Sequence, residues 1–83
     1  MRIKEKIVDF KIGDKIVIKS FDEINSELDE SKTTDGAYFN PSMKKLCNDH
    51  GVIIHSFLYN KIVVYRISGN SWTWTQKWLK HEE

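Results

Sequence analysis

Between Gly13-Asp14 and Ser20 the chain reads Lys15-Ile16-Val17-Ile18-Lys19. Ile16 and Ile18 fall on one side and the two lysines on the other, a β-branched alternation that predicts a half-buried strand. Val17, on the lysine side, is expected to be partly covered. The period then changes. Phe21, Ile24 and Leu28 share one helical face, and Ser20 with Glu23 has capping-box spacing, so a short amphipathic helix follows. Ser31-Lys32-Thr33-Thr34-Asp35-Gly36 is polar throughout and predicts a mobile loop. In Phe39-Asn40-Pro41 the asparagine suits an N-cap and the proline a first helical position. Met43, Leu46 and Cys47 supply the apolar face of this second helix, near residues 41–47, and Gly51 suits a turn after it.

The second half predicts strands. GVIIHSFLY and KIVVYRI are joined around Tyr59-Asn60-Lys61. Val52, Ile54, Ile62 and Val64 are the expected inward residues, although both strands are apolar on both faces, which leaves their sidedness open. Ser68-Gly69-Asn70 marks another hairpin, SWTWT a strand, and QKWLK a terminal helical turn. The expected fold is therefore mostly β: four strands in a single domain over 1–83, with two small helices inserted after the first strand.

With 83 residues, each large apolar side chain weighs heavily in stability, because a chain this short buries only about 60% of its unfolded surface. Trp72 and Trp74 alternate with Ser71, Thr73 and Thr75, so both indoles project from one face of their strand. Core burial is the expectation for them, with exposure as a binding surface the alternative. Trp78, with Leu79 beside it, is expected to close an open end of the fold. No apolar run approaches the roughly 20 residues of a membrane span. MRIKEKIVDFKIGDK lacks the apolar stretch of a secretory leader. A lone cysteine, Cys47, suits a reducing compartment. Cytoplasmic location is expected.

Charge is unevenly spread. Residues 1–19 hold six basic and three acidic side chains, residues 20–38 one and six, and residues 39–83 six and three. An acidic segment between two basic ones argues against a dedicated nucleic-acid binder, which favours one continuous basic face. Sites for chemistry are sparse. Asp49, His50 and His55 lack further ligands at metal-binding spacing. Cys47 belongs to an apolar set, and the acidic loop does not match the calcium-loop pattern. No phosphate-binding loop, dinucleotide fingerprint or nucleophile elbow is present. No cofactor, metal site or catalytic activity is expected.

FKIGDKIVIKS, NPSMKKLCNDHGVII and KIVVYRISGNSWTWTQKWL together resemble the small repeat domain found in tandem in Mind bomb ubiquitin ligases and singly in short bacterial and phage proteins. The shared layout covers residues 10–80: a Gly-Asp before the first strand, an acidic insert, a short proline-started helix and a tryptophan-bearing last strand. The resemblance implies a strongly bent Src-homology-3-like β-barrel. In the ligases such repeats bind peptides from the cytoplasmic tails of ligand proteins. The chain is single-copy and shows no RING, ankyrin or zinc module, so ubiquitin transfer is not implied.

The expected function is non-catalytic protein binding, as an inhibitor or adaptor of phage or bacterial origin, acting in the host cytoplasm if phage-encoded. Candidate partner-binding residues are Tyr38, Phe57, Tyr59, Lys61, Tyr65 and Arg66, bordering a groove beside the acidic insert. A basic or proline-containing segment would suit such a groove. The alternative for Phe39 and Tyr65 is the core. The rival function is nucleic-acid binding through Lys11, Lys15, Lys19, Lys61 and Arg66 on a shared face.

Overall fold

The computed structural model describes residues 10–59 and 61–82. Residues 1–9 of the N-terminal stretch read as lacking a leader, Asn60 between the two strands, and Glu83 lie outside them. β1 (Lys15–Ile18) forms as expected, with Ile16 and Ile18 buried. It leads into α1 (Phe21–Asn25) through the expected capping box: the Glu23 amide donates to Ser20 Oγ at 3.2 Å, and the Ser20 amide donates to the Glu23 carboxylate at 3.1 Å. The amide and hydroxyl of Ser20 hold the Glu23 carboxyl below its ordinary range. Ile24 is the residue α1 buries, with Phe21 and Leu28 packed beside the core.

The polar stretch expected as an open loop is a small hairpin, β2 (Thr33–Thr34) and β3 (Ala37–Tyr38). Asp35 and Gly36, at φ +55° and +89°, make the tight turn between them, the left-handed pair that twists with the flanking strands. Asp29 organises the approach. Its carboxylate accepts from the amides of Ser31 and Thr33 and from the Thr33 hydroxyl at 2.8–3.0 Å, which holds it below the usual carboxylate range. Short-range hydrogen bonds of this kind are invisible to hydrophobic periodicity, so a run without apolar residues reads as loop.

Pro41–Leu46 is helical as expected, in the 3-10 form, with Met43 buried and Asn40 accepting from the Ser42 amide. β4 (His50–Tyr59) and β5 (Ile62–Ile67) form a long hairpin, followed by β6 (Thr73–Thr75), a second 3-10 turn (Gln76–Trp78) and β7 (Leu79–His81). β7 is a strand beyond the four expected; Leu79, Lys80 and His81 pair with β1 rather than continuing the turn. The order β6-β5-β4-β1-β7 is antiparallel throughout. The first part of β4 pairs with β1 and the remainder with β5. A five-stranded antiparallel sheet in which β4 pairs with both β1 and β5, with an insert after β1 and a 3-10 turn before the last strand, makes the fold mostly β, as expected.

Two expectations about β4 are corrected. Gly51 is a strand residue opposite Ile16, not a turn. Ile53, fully buried, is inward, while Ile54 is 53% exposed. A bulge causes this: Ile53 faces Ile67 and His55 faces Arg66, leaving Ile54 without a partner. Ile62 and Val64 are covered as expected, Ile62 partly and Val64 fully.

Trp74 and Trp78 are buried and meet edge to face at 6.1 Å, and Phe39 meets Trp78 likewise at 5.2 Å. The Trp78 indole N–H donates to Thr34 Oγ1 at 2.9 Å, and the Thr34 hydroxyl donates to the Glu27 carbonyl at 2.9 Å. This relay ties the insert to the core. Thr34→Val keeps the shape but leaves the indole N–H buried without an acceptor, so it should cost about 1–3 kcal/mol. Urea denaturation measures it, and an unchanged midpoint would show that the relay contributes nothing.

Candidate functional site

A groove of about 400 Å³ opens between the insert and the β4–β5 hairpin. From the insert come Ala37, Tyr38 and Met43; from the hairpin Phe57, Tyr59 and Val64; and from the approach to β6 and its first residue Ser71, Trp72 and Thr73. Met43 and Val64 are fully covered and so form the floor, while Tyr38 and Tyr59 remain 55% and 50% exposed. Phe57 and Trp72 are half-buried. Four aromatic rings thus surround an apolar floor, and the lining carries no charged side chain.

The hairpin's register sets which side chains share a face. Residues directly opposite in an antiparallel pair point to the same side. Phe57 faces Val64, Tyr59 faces Ile62, and His55 faces Arg66, which in turn faces Thr73. Phe57, Tyr59, Val64 and Arg66 therefore lie on one face of the hairpin. The bulge at Ile54 sets this parity, because without it Phe57 and Tyr59 would fall on the side of Ile53.

Of the six predicted residues, Tyr38, Phe57 and Tyr59 are brought together in the groove. Arg66 is exposed and borders it through its pairing with Thr73. Lys61 is exposed in the hairpin turn, at φ +70°. Tyr65 is corrected: it is 1% exposed, on the face of Ile67 and Trp74, with its ring edge to face on Phe10 at 5.4 Å. Tyr65 is a core residue, the alternative the sequence left open for it. Phe39 is core as well.

Trp72, expected in the core with a binding surface as the alternative, is half-buried and lines the groove. It precedes β6, so strand alternation does not govern it. Asn70 Oδ1 accepts from both the Trp72 amide and the Trp74 indole N–H, each at 3.0 Å, which holds the two tryptophans in different settings. An asparagine two residues before the first of two alternating tryptophans is the signal that sets them apart.

A smaller hollow of about 250 Å³ lies beside α1, with Phe21, Leu28, Phe39 and Pro41 as its apolar walls. Lys44 Nζ lies 4.5 Å from the centre of the Phe21 ring. Burial pushes the Cys47 thiol up, away from the thiolate a nucleophile needs. Nδ1 of His50 lies 3.5 Å from the Glu82 carboxylate, and His55 stacks loosely on Phe57. Among the described residues no group of three His, Cys, Asp or Glu side chains is placed to hold a metal, and no helix is long and apolar enough to cross a membrane.

No protein-family model, curated protein or solved structure matches the chain.

Proposed function

We propose that the chain is a non-catalytic protein-binding module whose contact surface is the groove between the insert and the β4–β5 hairpin. One observation carries this reading: two tyrosines with half their surface in solvent stand over an apolar floor, beside half-buried Phe57 and Trp72. Exposed aromatics around a concave apolar floor supply large contact area at little entropic cost, the composition of interface hot spots. The resemblance to Mind bomb-type repeats points the same way, since those bind peptides. An inhibitor or adaptor acting in a bacterial or phage-infected cytoplasm is the setting that resemblance suggests.

Peptide-display selection against the immobilised chain tests the reading. Selected peptides should lose about 30-fold or more in affinity to Tyr38→Ala or Tyr59→Ala, the size of a hot-spot loss. Both variants should melt like the parent. Ile12→Ala, at a residue more exposed than either tyrosine but outside the groove lining, should bind normally. Equal binding by all three variants would place the contact elsewhere. The rival nucleic-acid reading needs Lys11, Lys15 and Lys19 to act with Lys61 and Arg66. The strands carrying Lys15 and Arg66, β1 and β5, lie on opposite sides of β4. A steep fall of affinity with added salt would favour that rival.

A further inference from the structure

The charge around the groove differs from what the acidic insert suggests. Three of the insert's carboxylates are already engaged. Glu23 accepts from Ser20 and lies 3.9 Å from Lys80, Asp29 accepts from Ser31 and Thr33, and Asp35 pairs with Lys77 at 3.2 Å. Two exposed cations of the hairpin, Arg66 beside the lining residue Thr73 and Lys61 in the turn next to Ile62, are not engaged: neither forms an ion pair with any described residue. Arg66 stands opposite Thr73 of the lining, two residues from Val64 on the same face. Lys61 sits at the other end, next to Ile62, which faces Tyr59. Lys61 is five residues from Arg66 along the chain, and the four that reach Ile62 lie in the strand and span about 13 Å.

We propose that the occupant is an extended acidic segment of a partner protein, with an apolar centre between two carboxylates about four residues apart. This rests on the groove reading above and adds the chemistry of the ligand. An extended peptide advances at nearly the same rate as the strand beneath it, so carboxylates four residues apart reach Arg66 and Lys61 together. The guanidinium of Arg66 suits bidentate pairing with one of them. The apolar centre lies over Val64 among the rings and supplies most of the affinity. Exposed ion pairs contribute little each, so the charges act chiefly on selectivity and direction. A basic segment, which the acidic insert first suggested, would bring its charges against Arg66 and Lys61.

Amide chemical-shift titration with three capped peptides tests this: Asp-Pro-Phe-Pro-Asp, its Asn-flanked analogue and its Lys-flanked analogue, with a short oligothymidylate alongside. The Asp peptide should shift the amides of Tyr38, Phe57, Tyr59 and Thr73 and bind about tenfold more tightly than the Asn analogue. The Lys analogue should bind most weakly. The double variant Lys61→Glu, Arg66→Glu should reverse the order of Asp and Lys peptides at unchanged melting temperature. Asn or Lys peptides binding the groove as well as the Asp peptide would overturn the acidic occupant and leave the groove reading standing. Absence of binding by all three at millimolar concentration also overturns the acidic occupant, while the Tyr38 and Tyr59 variants still judge the groove. Shifts confined to other surfaces would overturn both. Oligothymidylate binding at Lys61 and Arg66 more tightly than the Asp peptide would overturn it in favour of nucleic acid.

Discussion

Trp74→Ala should destabilise the fold by about 3–5 kcal/mol, because the lost transfer energy of an indole and the cavity left behind add together. Trp74 is fully buried, packs edge to face on Trp78 and donates its indole N–H to Asn70. Its removal therefore also frees Asn70 Oδ1 from one of its two donors and loosens the turn before β6. For a small chain at the low end of the about 5–15 kcal/mol of ordinary domains, this is most of the net stability. The variant should melt near room temperature or accumulate poorly, as read by circular dichroism and soluble yield. Melting like the parent, with loss of partner binding instead, would mean that the indole serves a surface. Trp72→Ala should fall between the two cases, since Trp72 is half-buried and lines the groove.

Ile53→Ala and Ile54→Ala should separate by several kcal/mol although the residues are adjacent and identical. Ile53 is fully buried opposite Ile67, so its truncation should cost about 2–5 kcal/mol. Ile54 occupies the bulge with half its surface in solvent, and its truncation should stay within about 0.5 kcal/mol. Chemical denaturation of both variants measures the difference. Equal losses would mean that the strand runs without the bulge. The consequence reaches the groove, because the bulge sets which face carries Phe57 and Tyr59. A slip of one residue there would send both rings to the side of Ile53 and dismantle the site.

Local chemistry written into the chain determined a good deal. The alternation of Ile16 and Ile18 specified β1, and Ser20 with Glu23 specified the start of α1. Asn40-Pro41 specified the start of the 3-10 segment, and the β-branched runs specified a mostly β fold. These are short-range effects, each settled within about four residues. The exposure of Tyr38 and Tyr59 was legible because each lies within two residues of a turn, whereas Phe57 is a strand residue and only half-buried.

Tertiary structure decided the rest. Val52-Ile53-Ile54 is equally apolar at all three positions, so only pairing with both β1 and β5 selects Ile53 for the core and leaves Ile54 outside. Tyr65 and Arg66 are neighbours in an apolar run, yet the same pairing buries one and exposes the other. β7 exists because β1 has a free edge to receive it, a contact more than 60 positions distant in the chain. The ion pairs that occupy Glu23 and Asp35 reach from the insert to Lys80 and Lys77 at the far end of the chain. Periodicity and charge counts report only on neighbours along the chain. The parity of a bulged strand, and the pairing of charges between remote segments, are set when the sheet closes.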